Sequence, residues 1–262
     1  MRKYFLTVLI VAMLTSAIAP LALANNTLPT IFFNNEPLEI TAQPVIEKGI
    51  TFLPARVLLN KYELNVHYNA KTREITAKND DYQVKFTIGN STAIVNEEDV
   101  LLSVAPRIVN NVAWLPLRTT VKIFEYDVVF DREFNLISVA PEKEQSTFAV
   151  LLNLNYFVEQ NIEAITKTHD SNAWEYKQLI ESATAELEEK YTYEIDDIGV
   201  LELVDGQAEV GVTLTRSKPD VQDFIPTTNS YIYKVKKQKN GVWRIYDIVP
   251  GTEADPVEPN PA

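Results

Sequence analysis

The side chains that could do chemistry are few and scattered. The chain holds two histidines, His67 and His169, and no cysteine. Without thiols there is no lipid-modified cysteine, no disulfide framework and no thiolate metal site. The acidic groups Asp80-Asp81, Glu97-Glu98-Asp99 and Asp196-Asp197 are candidates for calcium. They lack the alternating acids around a central glycine that an EF-hand loop requires, so they read as solvated turns. A glycosidase needs two carboxylates facing each other across a cleft, and no local motif reports such a pair. No glycine-rich phosphate loop and no Gly-x-Ser-x-Gly turn is present, and seven glycines leave little room for one. No catalytic residue, metal ligand or cofactor is therefore assigned.

Arg56 and Arg118 stand out because each follows a proline, Pro54 and Pro116, at the same place in two copies of one pattern. As functional groups they would be anion or glycan contacts. As structural groups each guanidinium would bridge backbone carbonyls, or a carboxylate such as Glu63 or Glu125 within its own copy. Recurrence at one packing position favours the structural role. Trp114 could stack on a sugar, but its counterpart is Phe52 on an apolar strand, which favours a core position.

The pattern is an internal repeat. Residues 32–77 lie over 94–139 without a gap, matching Asn34/Asn96, Pro44/Pro106, Leu53/Leu115, Pro54/Pro116, Arg56/Arg118 and Glu63/Glu125. His67 faces Val129 in this alignment, so what is duplicated is packing and not a reactive group. Each copy reads as a hairpin around Asn34-Asn35 or Asn96-Glu97, then an apolar strand ending in Leu-Pro. A helix over 55–62 or 117–124 follows, with its proline in the first turn, where a missing N–H leaves nothing unsatisfied. A second hairpin closes each copy, over 65–77 or 127–139. Between the copies, Tyr82 to Ile88 alternates as a strand.

On Pro44-Val45-Ile46-Glu47-Lys48-Gly49-Ile50-Thr51-Phe52-Leu53-Pro54-Ala55-Arg56 and its counterpart Pro106 to Arg118, with Val66-His67-Tyr68-Asn69 and Val128-Val129-Phe130-Asp131, the chain resembles the copper amine oxidase-like N-terminal domain of secreted Gram-positive bacterial proteins. The resemblance implies an α+β, surface-exposed accessory module without the copper-bearing catalytic part. That family usually has glycine near the end of each helix, in a left-handed closing turn; here Glu63 and Glu125 stand there. Copper(II) would need clustered imidazoles, and the two histidines fall in separate modules. An amine-oxidase cofactor sequence is absent too, since Asn155-Tyr156 precedes Phe157.

After the charged stretch 141–146, which reads as a linker, helical spacing of Val150, Leu151, Leu154, Phe157, Val158, Ile162 and Ile165 predicts one helix. A second is expected over 173–191, with Trp174, Tyr176, Leu179, Ile180 and Leu187 inward. Strands follow near 191–195, 198–204, 207–216, 228–237 and 242–249, with hairpin turns at Asp205-Gly206 and Asn240-Gly241. Glu163-Ala164-Ile165, His169 to Ala173, Val204 to Val210 and Asn240 to Asp247 resemble the NTF2-like (SnoaL-like) α+β cone, helices packed on a curved antiparallel sheet. What this implies is either a concave pocket lined by Trp174, Tyr193, Tyr231, Tyr233, Trp243 and Tyr246, or a filled core of the same residues. His169, before the second helix, is expected in a local turn or cap contact.

The domain order expected is a signal peptide over 1–24, the repeat module over 28–140, a linker over 141–146, the cone over 147–250 and a disordered acidic tail over 251–262. Arg2 and Lys3, an apolar run and Ala22-Leu23-Ala24 form the export signal; an uncleaved anchor is the alternative. Cleavage takes the formal charge from −12 to −14, which argues against nucleic acid and anionic membrane as partners. The expected protein is a secreted or cell-wall-associated, non-catalytic accessory protein that binds or scaffolds, its partner an unidentified protein or cell-wall component. Alternatives are a small-ligand carrier or enzyme using the cone's pocket, and a wall-glycan binder. A homodimer through the cone's open sheet face is the oligomer considered.

Overall fold

A computed structural model describes residues 28–40, 43–159, 161–189, 191–218 and 220–251. The expected signal peptide and all but the first residue of the expected tail lie outside this set. The chain forms two compact units: residues 38–128 with the short lead-in before Ile31, and residues 31–37 with 129 onward.

The first unit is built on the repeat. Strands β3 (Val45–Glu47) and β4 (Ile50–Pro54) pair as a hairpin, Val45 with Phe52 and Ile46 with Thr51. The second copy reproduces that register with β10 (Arg107–Val109) and β11 (Val112–Pro116), Arg107 with Trp114 and Ile108 with Ala113. The inner strands β4 and β11 then pair antiparallel, so that Leu53 sits opposite its own repeat mate Leu115, flanked by Phe52–Pro116 and Pro54–Trp114. A register that maps onto itself when the copies are exchanged defines a local two-fold axis. Both leucines are fully buried there.

Helices α1 (Ala55–Asn60) and α2 (Leu117–Lys122) follow. Each also packs over the other copy's strand, α1 on β11 and α2 on β4. Pro54 and Pro116 stand at the N-cap, one residue before the expected place, as the last residue of each strand. Both helices are shorter than expected. A turn closes them at Glu63 (φ +56°) and Glu125 (φ +63°), so the left-handed position survives without glycine. Tyr62 and its repeat mate Phe124 stack with ring centroids 4.0 Å apart. A separate antiparallel sheet runs in the order β5 (Asn65–Asn69), β6 (Glu74–Lys78), β7 (Gln83–Thr87), β8 (Thr92–Val95), β9 (Glu98–Leu101), joining one hairpin from each copy through β7.

In the second unit the remaining hairpins meet directly. Its first sheet runs β12 (Asp127–Asp131), β13 (Leu136–Ala140), β1 (Thr30–Phe33), β2 (Glu36–Pro37). The charged stretch after Ala140 is not a free linker: helix α3 (Glu142–Val158) starts within it, and Gln145 and Ser146 are buried. The single helix expected through Ile165 is broken at Asn161, whose side chain caps α4 (Ile162–Thr168) by accepting from the Ala164 N–H at 3.0 Å. Helix α5 (Tyr176–Glu188) begins later than expected.

Four long antiparallel strands complete the α+β fold: β14 (Thr192–Val204), β15 (Gln207–Ser217), β16 (Thr227–Lys237) and β17 (Trp243–Pro250), in that order. Bulges between Ile195 and Asp197, between Val200 and Glu202, and opposite Lys234/Val235 curve the sheet. Helix α3 is apolar on two sides because it has two partners. Val150, Leu151 and Leu154 meet Val210, Val212, Tyr233, Val235 and Ile245 of the curved sheet. On another side, Phe148, Leu152 and Tyr156 meet Phe32 and Leu136 of the smaller sheet, together with Ile165 and Ala183. Among the described residues no helix is long and apolar enough to cross a membrane.

Candidate functional site

The curvature of the sheet leaves a cavity of about 240 Å³ under α5. Its floor follows from strand alternation. Leu214 and Arg216 on β15, and Asn229, Tyr231 and Tyr233 on β16, are spaced by two and share one face. Across the ladder Arg216 pairs with both Tyr193 and Thr227, Leu214 with Asn229, and Tyr233 with Ile248. The roof follows from helical spacing: Leu179, Ser182, Ala183 and Glu186 lie along one side of α5. Leu154 of α3 and His169, just past α4, complete the lining.

One end is ionic and partly open. The Tyr193 hydroxyl donates to Glu186 Oε1 at 2.8 Å, and Arg216 Nη1 donates to the same oxygen at 3.1 Å. Arg216 Nε donates to Thr227 Oγ1 at 3.0 Å, and its guanidinium lies 4.7 Å from the Tyr191 ring centroid. The Arg216 and Glu186 side chains are 31% and 34% exposed, so the pair neutralises itself within reach of water. Burial, with the hydrogen bond to Glu186 next, pushes the Tyr193 phenol far above its usual range.

The other end is buried. His169 there is 4% exposed. His169 Nδ1 lies 2.9 Å from the Ile165 carbonyl, which can only accept, so Nδ1 carries the proton. Asn153 Nδ2 donates to Thr168 Oγ1 at 2.9 Å, and that hydroxyl donates to the same carbonyl at 2.6 Å, which fixes the end of α4. Burial pulls the His169 pKa below its ordinary value, the hydrogen bond to Ile165 opposing, and so favours a neutral ring. Tyr233 on the sheet floor is 5% exposed, and burial raises its phenol and keeps it protonated. Between these ends Leu154, Leu179, Ala183, Leu214 and Ile248 give apolar walls. The arrangement can hold a small molecule with an apolar body and a few polar positions. A second cavity in this unit, about 30 Å³, has room for little more than a water.

Of the six aromatic residues expected around a pocket, Tyr193, Tyr231 and Tyr233 line this one. Trp174 does not: it precedes the first turn of α5 and is 98% exposed, where an inward position was expected. Trp243 is buried in the core under α3. Tyr246 is passed over in the strand register at a bulge, where Lys234 pairs with Asp247 and Val235 with Ile245. Spacing by two along β15 and by three to four along α5 was the available signal for the lining residues not singled out, Leu214, Arg216, Ala183 and Glu186. What it lacked was knowledge of which strand and helix face each other.

Elsewhere, Arg56 and Arg118 are exposed, and among the described residues they make none of the bridges expected of them. Trp114 is buried at 5% exposure. His67 is exposed on β5. Among the described residues no cluster of histidine and carboxylate side chains is placed to hold a metal ion.

Residues 32–139 match the model of the copper amine oxidase N-terminal domain, and residues 149–253 that of the anti-sigma-I factor RsgI9 C-terminal domain. No curated protein matches the chain. Among solved structures, a ketosteroid isomerase-like protein from Erwinia carotovora atroseptica is 17% identical over 41% of this chain and 92% of its own, with a TM-score of 0.33. An NTF2-like protein involved in plasmid conjugation is 12% identical, covering 80% of this chain and 82% of its own, with a TM-score of 0.30. The helical cell shape determining protein Pgp2 from Campylobacter jejuni is 9% identical, covering 71% and 72%, with a TM-score of 0.33. The chain thus joins a segment similar to the copper amine oxidase N-terminal domain to one similar to the C-terminal domain of an anti-sigma-I factor.

Proposed function

We propose that the chain is an exported accessory protein whose C-terminal cone binds a small ligand, with the repeat module serving as a recognition or spacing element. The single observation that carries this is the cavity of about 240 Å³, apolar along its walls and polar at both ends. Support for a binding role over catalysis comes from the carboxylate: Glu186 is held by Arg216 and Tyr193 and is not left free to take a proton. Similarity of residues 149–253 to a domain of an anti-sigma factor, a regulator by name, points the same way. Export rests on the charged, apolar and Ala-Leu-Ala segment at residues 1–24.

Saturation-transfer NMR with a set of uncharged aromatic and aliphatic probes tests it, run on the native chain and on Asn229→Trp. Asn229 is half-buried and lines the cavity, and its side chain holds no hydrogen bond among the described residues, so an indole there fills space without breaking a side-chain hydrogen bond. Probes should bind the native chain and be lost from the variant; binding that the variant leaves intact would remove the cavity from the account.

A further inference from the structure

We infer that the buried end of this cavity selects uncharged ligands that carry a hydrogen-bond donor, an O–H or N–H group received by Nε2 of His169. The inference rests on the cavity being a binding site and says what that site recognises.

Three observations carry it. Nδ1 of His169 is committed to the Ile165 carbonyl at 2.9 Å, with Thr168 Oγ1 a longer neighbour at 3.3 Å, so the proton sits on Nδ1 and Nε2 presents a bare lone pair. No described group meets Nε2, and it is not among the atoms sealed away from solvent. A ring that is 4% exposed and lines the cavity can present that accessible nitrogen only to the cavity.

Charge selects against ions. Among the described lining residues the only cation and the only anion, Arg216 and Glu186, are paired with each other at 3.1 Å at the opposite end. An anion reaching the buried end would meet the lone pair of Nε2 with no opposite charge nearby, and a cation would lose its hydration against apolar walls. An uncharged donor satisfies an acceptor that is otherwise left bare in a place poor in water.

The test compares two neutral probes of one shape, 2-naphthol and 2-fluoronaphthalene, by titration of the full chain. The expected result is about tenfold tighter binding of 2-naphthol, equal to about 1.4 kcal/mol. In His169→Phe the preference should fall to about twofold or less while 2-fluoronaphthalene still binds. Should that variant fold poorly, the native chain decides: with only two histidines, the ¹⁵N resonance of His169 Nε2 is assignable, and it should move upfield with 2-naphthol and stay in place with 2-fluoronaphthalene. Equal affinities, or an Nε2 resonance indifferent to 2-naphthol, would overturn the donor assignment and leave the cavity reading standing. Binding of neither probe would overturn both.

Discussion

His169 illustrates how one contact sets a side chain's chemistry. Its ordinary pKa of 6.5 applies in the unfolded chain, and burial lowers it in the fold. Between those two values the unfolded state binds more protons, so stability falls as pH drops through about 6.5 and levels off once the folded value is passed. Urea denaturation of His169→Gln should therefore show a shallower loss of stability from about pH 7 to about pH 5 than the native chain; an unchanged slope would place the titration elsewhere. Glu63 and Glu125 bear a different strain. Each adopts positive φ, which costs a non-glycine residue about 1–2 kcal/mol, while glycine loses part of that gain to its freer unfolded chain. Glu63→Gly and Glu125→Gly should each stabilise by about 0.5–1 kcal/mol in thermal unfolding. The left-handed turn at these positions was indicated by the family resemblance alone, because glutamate gives no local sign of it. For His169 a local turn or cap contact was expected and is found; that it caps α4, a helix ending at Thr168, was concealed by one uninterrupted apolar periodicity through Ile165.

At the scale of elements, α3 holds the second unit together by packing against two sheets. Phe148 sits 5.0 Å from Phe32 centroid to centroid, and Tyr156 stacks on Phe134 at 5.3 Å. Phe148→Ala should cost about 3–5 kcal/mol, a cavity-forming loss in a core shared by helix and hairpin. Polar contacts run alongside. Arg244 of β17 reaches Asp131 of β12 at 2.8 Å, with side chains only 11% and 4% exposed. Arg244→Met leaves that carboxylate buried without its cation and should destabilise by about 3–5 kcal/mol. The second carboxylate on Arg244, Glu133, is 54% exposed and adds little by comparison. The hairpins, the Leu-Pro strand ends and the four long strands could be read from alternation and turn residues. Their pairings across the two copies could not, because a repeat specifies each hairpin and is silent about which copy supplies its neighbour.

For the whole molecule, sequence similarity and compactness divide the chain in different places. The two family matches leave 140–148 between them, whereas the second compact unit takes in 31–37 and 129–140 with the cone. A chain trimmed to 141–251 would expose Phe148, Leu152 and Tyr156, which Phe32, Phe134 and Leu136 otherwise cover. Such a fragment should bind a hydrophobic dye and give poorly dispersed amide spectra; a sharp, dye-free spectrum would show that the hairpins are dispensable. The central claim is that the cone is a receptacle for a small uncharged molecule. Its most direct measurement is a titration of the ¹⁵N-labelled full chain with 2-naphthol, followed through amide shifts. Saturable changes centred on Leu154, Ala183, Leu214 and Tyr233 are predicted, and the absence of any saturable change, or changes confined to the repeat strands between Val45 and Pro116, would contradict it.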